Sequence, residues 1–176
     1  SRTHENTEEM GFYEGKLNHL WVDLFVIDRL PAGKTAAALT KFLHLAVYGL
    51  AMGHRYRLDY GKYSPLQKLM VAGLATVGRL IPMKAIFAMQ KALALKDRKS
   101  RGNLRYYSSY QPDYMYVTLE KEWCEEVVDT DFEDTRLMIP AGWHQVLTEV
   151  YGDYMQLPPE EQRVPAHSSM EIQILD

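Results

Sequence analysis

The sequence predicts an α+β domain, and three observations predict it. An apolar run, 20–31 (LWVDLFVIDRLP), reads as a strand near the start. Three segments with helical apolar spacing follow over about 35–101. Beyond Gly102 the chain turns to short β-branched or aromatic runs, closed by one more helix. Helices and strands segregated in this way, rather than alternating, mark an α+β fold. No repeat or interdomain linker stands out, so residues 1–176 are expected to form a single domain.

Residues 1–18 are polar and mixed and serve as a lead-in. In the run that follows, both parities are apolar, which predicts a strand buried on both faces. Asp23 interrupts it between Trp21 and Phe25, and Asp28 closes it with the opposite parity. A carboxylate so placed must be paired, hydrogen-bonded or on a metal, since a bare one costs several kcal/mol. Thr35 is placed to cap the first helix, with Leu39, Phe42, Leu43, Ala46 and Leu50 on its core side and Gly53 at its end. Ser64, Pro65 and Gln67 predict a capping box at the start of the second. Its apolar side comprises Leu66, Leu69, Met70, Gly73, Leu74, Val77 and Ile81. Pro82 ends that helix and opens a third, with Ile86, Met89, Gln90 and Leu93 in register and a basic end at Lys96, Arg98, Lys99 and Arg101. Strands are expected over 104–107, 114–119, 123–128 and 136–139, and a final helix from about Pro140 to Tyr151, ended by Gly152. The tail from Glu160 shows no periodicity.

Composition excludes several classes. A formal charge of −3 argues against nucleic acid as a partner, because no basic excess is present to neutralise phosphates. The single Cys124 permits no internal disulfide and points to a reducing, cytoplasmic setting. The most apolar region, 66–95, is broken by charges and by Pro82 too often for a transmembrane span. The basic end at 96–101 is satisfied by the helix dipole alone, or else by a peripheral contact of 66–101 with lipid headgroups.

The chemistry left open is that of carboxylates. Gly33-Lys34-Thr35 lacks the earlier glycine of a phosphate loop, no nucleophile elbow is present, and the histidines have no ligand spacing. Asp23 and Asp28, with Asp129, Asp131, Glu133 and Asp134 of the acidic run, are hard oxygen ligands that suit Mg²⁺ or Mn²⁺ and hence phosphates. For the acidic run, a solvated turn is the simpler reading. Asp23 is equally readable as a structural hydrogen-bonder.

The last third carries a resemblance. Phe132-Glu133-Asp134, then Ile139-Pro140-Ala141-Gly142, then Val150-Tyr151-Gly152-Asp153-Tyr154-Met155, Leu157-Pro158-Pro159-Glu160-Glu161 and Arg163 resemble the closing signature of the LicD family. That family comprises the phosphocholine and related phosphotransferases of cell-surface glycans, relatives of fukutin. Trp21 to Phe25 with Ile27-Asp28 looks like the family's I-D-I-F-P-L-D strand, with Val26 replacing the proline, and Asn6-Thr7 resembles an upstream N-T element.

The resemblance implies a partial nucleotidyltransferase-like fold, with a mixed sheet, a helical insertion at about 35–101 and a C-terminal helix. It implies a nucleotide-diphosphate donor such as CDP-choline, a glycan or teichoic-acid-type acceptor, and Mg²⁺ or Mn²⁺. Asp23 takes the catalytic and metal position, Asp28 is the second metal candidate, and Tyr151, Asp153 and Arg163 of the closing signature are expected at the donor. The family's acidic W-D-D-D-I-D run has no counterpart here, so the domain is expected to be N-terminally incomplete and inactive alone. A cytoplasmic position, peripheral to the inner face of the membrane, fits such an enzyme. The alternative is a non-catalytic glycan-binding or interaction module on the same fold.

Overall fold

A computed structural model describes residues 2–4, 7–16, 24–108, 112–157, 159–160, 163 and 171–173. The chain divides into two compact units, Ser1–Leu24 with Met155–Asp176, and Phe25–Tyr154. In the first, strand β1 (Arg2–His4) pairs antiparallel with β7 (Glu171–Gln173), and helix α1 (Thr7–Phe12) follows β1. The tail was read as aperiodic; three residues in a two-stranded pairing are too few to show an alternating pattern.

The larger unit holds two sheets. In the first, β2 (Ile27–Arg29), β3 (Leu104–Tyr107) and β4 (Thr118–Glu120) run in the order β2-β3-β4. The second is a hairpin of β5 (Val127–Phe132) and β6 (Thr135–Pro140). Every pairing among the described residues is antiparallel, where a mixed sheet was expected. The leading strand is also shorter than its composition promised. Residues 20–23 lie outside the described residues, 24–26 are extended but exposed, and only 27–29 form the strand, half-buried rather than sealed on both faces. The ladder reaches one residue further, since Ser108 N–H donates to Val26 O at 3.0 Å.

Three helices lie between β2 and β3: α2 (Lys34–Ala51), α3 (Pro65–Gly78) and α4 (Met83–Lys96). Gly33, at φ 99°, occupies the N-cap of α2, so Thr35 falls within the helix and does not cap it. The face of α2 turned to the core is Ala37, Thr40, His44, Val47 and Ala51, while the larger Leu39 and Phe42 are exposed. The capping box at Ser64 forms, with the Ser64 N–H donating to Gln67 Oε1 at 2.9 Å.

The orientation of α3 reverses the sequence expectation. Ala75 and Gly78 are its buried residues, and Leu66, Leu69, Met70 and Val77 face outward. Glycine explains why: a Cβ on Gly78 would lie 1.9 Å from Leu50 O, and one on Gly53 would lie 2.2 Å from Ala75 O. Backbones this close admit only small residues at those two points, while the half-buried Leu74 packs over Gly49 of α2. His54, in the 3₁₀ turn after α2, donates from Nε2 toward Gly78 O at 3.0 Å and Ile81 O at 2.9 Å. Carbonyls only accept, so the proton sits on Nε2 and the C-terminal end of α3 is capped.

Two clusters form the core. Leu30, Ala37, Tyr106 and Met115 pack together with Leu104, and Val47, Ala51 and Ile86 pack with Leu50, Ile81, Met83, Met89 and Leu93. Full burial of a side chain such as Leu30 or Ile86 is worth about 1.5–3 kcal/mol. By length and composition Lys34–His54 would also cross a membrane, although α2 supplies both core clusters from its buried face. Where 123–128 was expected to be a strand, a short helix α5 (Lys121–Glu125) precedes β5. The closing helix α6 (Trp143–Tyr151) ends at Gly152, whose φ of 70° is glycine's own region.

Candidate functional site

The polar groups of the larger unit gather where β2 and β3 meet the helices. Asp28 stands opposite Tyr106 in the ladder, so both side chains share one face of the sheet. Ser108, almost wholly buried, donates its hydroxyl to Asp28 Oδ2 at 2.5 Å, while its carbonyl accepts from Gln90 Nε2 at 2.7 Å. Tyr106 Oη and His44 Nε2 share a hydrogen bond at 2.8 Å, with the rings edge to face at 5.5 Å. Burial lowers the His44 pKa below the ordinary imidazole value, against the opposing pull of the Asp28 carboxylate. Burial likewise raises the Tyr106 phenol well above its ordinary range, and the carboxylates of Asp28 and Asp97 push it the same way. At neutral pH the pair is therefore a neutral phenol hydrogen-bonded to a neutral imidazole.

The other face is aromatic. Phe25, Tyr107 and Tyr114 form a triangle with centroids 5.0–6.0 Å apart. Burial raises the Tyr107 pKa, helped by Cys124, Tyr151 and Tyr114 nearby. Burial also pushes the Cys124 thiol up, outweighing the pull of Arg105, which favours the protonated sulfur. Arg105, itself buried, donates to Glu125 at 3.0 Å and to the carbonyls of Gly102 and Leu104.

The expected site residues separate accordingly. Asp28 faces the helices, whereas Tyr151, exposed at the end of α6, belongs to the Tyr107 side. Asp153 is exposed two residues on, beyond Gly152. Arg163 belongs to the smaller unit, where its N–H donates to Glu160 O at 3.1 Å. Asp23 lies outside the described residues. The acidic run forms strand β5 and its tight turn, with Asp131 paired to Arg136 at 3.0 Å and every one of its carboxylates solvated. No three Asp, Glu, His or Cys side chains converge to hold a metal among the described residues. Asp28 supplies one carboxylate, and Mg²⁺ is commonly held by one or two carboxylates with waters and substrate phosphates completing its six oxygens. These residues do not by themselves form a metal site.

His44, Tyr106 and Ser108 were not singled out by sequence reasoning. Thr40, His44 and Val47 at helical spacing were the available signal, hidden because the bulkier Leu39 and Phe42 lie within two residues of them. A cavity of about 280 Å³ was missed as well, at the end of α2, where Arg55 and Arg57 line it with Tyr48, Tyr63 and Asp59. Arg55 donates to Tyr48 Oη at 2.6 Å, and its guanidinium lies 5.3 Å over that ring. Two guanidinium groups against one carboxylate leave a positive excess suited to an anion.

This is an α+β domain with a half-buried carboxylate beside a buried hydroxyl and imidazole on one face of its sheet and tyrosines on the other. No family model and no solved structure matches the chain. It is 41% identical over 166 residues to the lipopolysaccharide cholinephosphotransferase LicD of Haemophilus influenzae, covering 88% of this chain and 57% of that protein. The chain belongs to the LicD family. It spans a little over half the length of this curated relative.

Proposed function

We propose that this chain is part of a transferase that moves phosphocholine, or a similar phospho-group, from a CDP-linked donor to a cell-surface glycan. Lipopolysaccharide, on which the relative's name says it acts, is the first acceptor to test, and a teichoic-acid-type polymer the second. The carrying observation is the 41% identity across 88% of the chain. The acceptor hydroxyl attacks the phosphorus that bears choline, the new P–O bond forms as the diphosphate bridge breaks, and CMP departs. Asp23 is assigned to orient that hydroxyl, and Tyr151, Asp153 and Arg163 to hold the donor, with the Arg55–Arg57 cavity as a further place for its phosphates. Mg²⁺ or Mn²⁺, with Asp23 and Asp28 as this chain's ligands, would neutralise phosphate charge. The reaction is placed on the cytoplasmic side of the membrane, and a nucleotidyltransferase-like architecture fits it.

A second reading rests on one observation, the absence of a convergent carboxylate group among the described residues. On that reading the domain binds glycan without turnover. The deciding experiment measures CMP release from CDP-choline with lipopolysaccharide, using a protein that carries these residues at the relative's full length. Asp23→Asn should lower the rate by several orders of magnitude and leave thermal stability nearly unchanged, while the 176 residues alone turn over nothing. Unaltered turnover in Asp23→Asn overturns the assignment, and glycan binding without CMP release from the longer protein favours the second reading.

A further inference from the structure

Helix α3 carries an apolar stripe on the side away from the fold. Leu66, Leu69, Met70, Val77 and Leu80 recur at helical spacing, and Leu66, Leu69 and Leu80 are 68%, 72% and 84% exposed. The close backbone approach at Gly53 and Gly78, with Leu74 over Gly49, sets the opposite face of α3 against the fold. After a turn at Pro82 the chain bends by 118° into α4, which keeps Ile86 inside and exposes Lys84, Phe87, Lys91 and Leu95.

Charge distinguishes this surface from the other exposed apolar residues. From Ser64 to Lys96 the sequence contains no aspartate or glutamate, but it contains Lys68, Arg79, Lys84, Lys91 and Lys96. The chain as a whole is acidic, at −3, so a stretch of 33 residues with cations only runs against its composition. A face for a second protein copy would require like charges to meet. An anionic bilayer matches both features, taking the leucines into its headgroup boundary and the lysines onto its phosphates.

We infer that α3 and α4 form a membrane-surface contact that docks the protein on anionic phospholipid, lying in the interface without spanning it. The bend turns Leu80 outward at the tip of the pair, where it is the most exposed leucine of the two helices. Because vesicle binding is read without donor or acceptor, the inference is tested whether or not the transferase reading holds. It gives that reading a way to bring the protein to a lipid-anchored acceptor.

The test is co-sedimentation with vesicles of phosphatidylethanolamine containing about one-third phosphatidylglycerol, chosen so that no phosphocholine headgroup is present. Binding should occur at low salt and weaken at 0.5 M NaCl. Each lysine near such a surface is worth about fivefold in affinity. Lys84→Glu with Lys91→Glu should therefore weaken binding at least tenfold, and Leu69→Ser with Leu80→Ser should do so on a separate background. All four side chains are exposed, and an unchanged circular dichroism spectrum establishes that the variants fold. Equal binding to vesicles lacking phosphatidylglycerol, or binding that both double variants retain, overturns the inference. So does a concentration-dependent dimer in the absence of lipid that the leucine variants dissolve, since the face then belongs to a second copy.

Discussion

Replacing His44 by Leu removes the hydrogen-bond partner of the Tyr106 hydroxyl and keeps a side chain of similar volume. Both residues are buried, so the phenol left without a partner costs about 1–3 kcal/mol. Tyr106→Phe has a similar cost from the other side, because it strands the His44 Nε2. The double variant leaves neither group stranded, so its loss should fall short of the sum of the two singles by about 1–3 kcal/mol. For a chain of this size each kcal/mol moves Tm by about 2–4 °C. Urea unfolding at pH 7.5 measures all four proteins. A pH series adds an independent readout, because the folded His44 pKa lies below its unfolded value of about 6.5. Between those two values the unfolded chain binds a proton that the folded chain refuses. The stability present above pH 6.5 is therefore lost as pH falls toward the folded pKa, and His44→Leu removes that part of the acid sensitivity. Additive losses in the cycle, together with an unchanged acid slope in His44→Leu, would refute the proposed pair.

Gly78→Ala should destabilise despite alanine's better helix propensity, since its Cβ would meet Leu50 O at 1.9 Å and the α2–α3 seam must open. Gly73→Ala in the same helix meets nothing within 4 Å and should stabilise by about 0.5–1 kcal/mol; equal thermal shifts for the two would mean the seam is not close-packed. Asp28→Asn keeps an acceptor for Ser108 but removes the carboxylate that favours the His44 imidazolium, so the His44 titration followed by NMR should move further down. A titration that stays in place would show that Asp28 does not face the imidazole.

What the sequence made legible was local. The α+β class, the capping box at Ser64, the break at Pro82, the strand 104–107 and the end of α6 at Gly152 all rest on a few adjacent residues. The inner faces of α2 and α3 were not legible, because hydrophobic periodicity assigns the largest apolar residues to the core. Here the close approach of α2 and α3 requires small residues, and the buried stripe includes Thr40 and His44. The short helix at 121–125 escaped for a related reason. Trp123 and Val127–Val128 read as strand formers, while the turn between the halves is fixed by tertiary bonds, from Ala141 N–H to Glu126 O at 2.7 Å and from Gly142 N–H to Trp123 O at 3.2 Å.

The separation of Asp28 from Tyr151 constrains any site that uses both. Opposite faces of a sheet are reached by one ligand only at an edge, and β2 is an edge in the described sheet. Phe25 and Val26, immediately before β2, are exposed there, with the Phe25 ring on the tyrosine side and Val26 O bound to Ser108 N–H. An extended, short and exposed edge is also the place where another strand or a bound chain adds on. On the transferase reading, the segment leading into β2 is where the aromatic face and the carboxylate face come within reach of one substrate. The sealed Tyr106–His44 pair lies away from that edge and serves the stability of the fold.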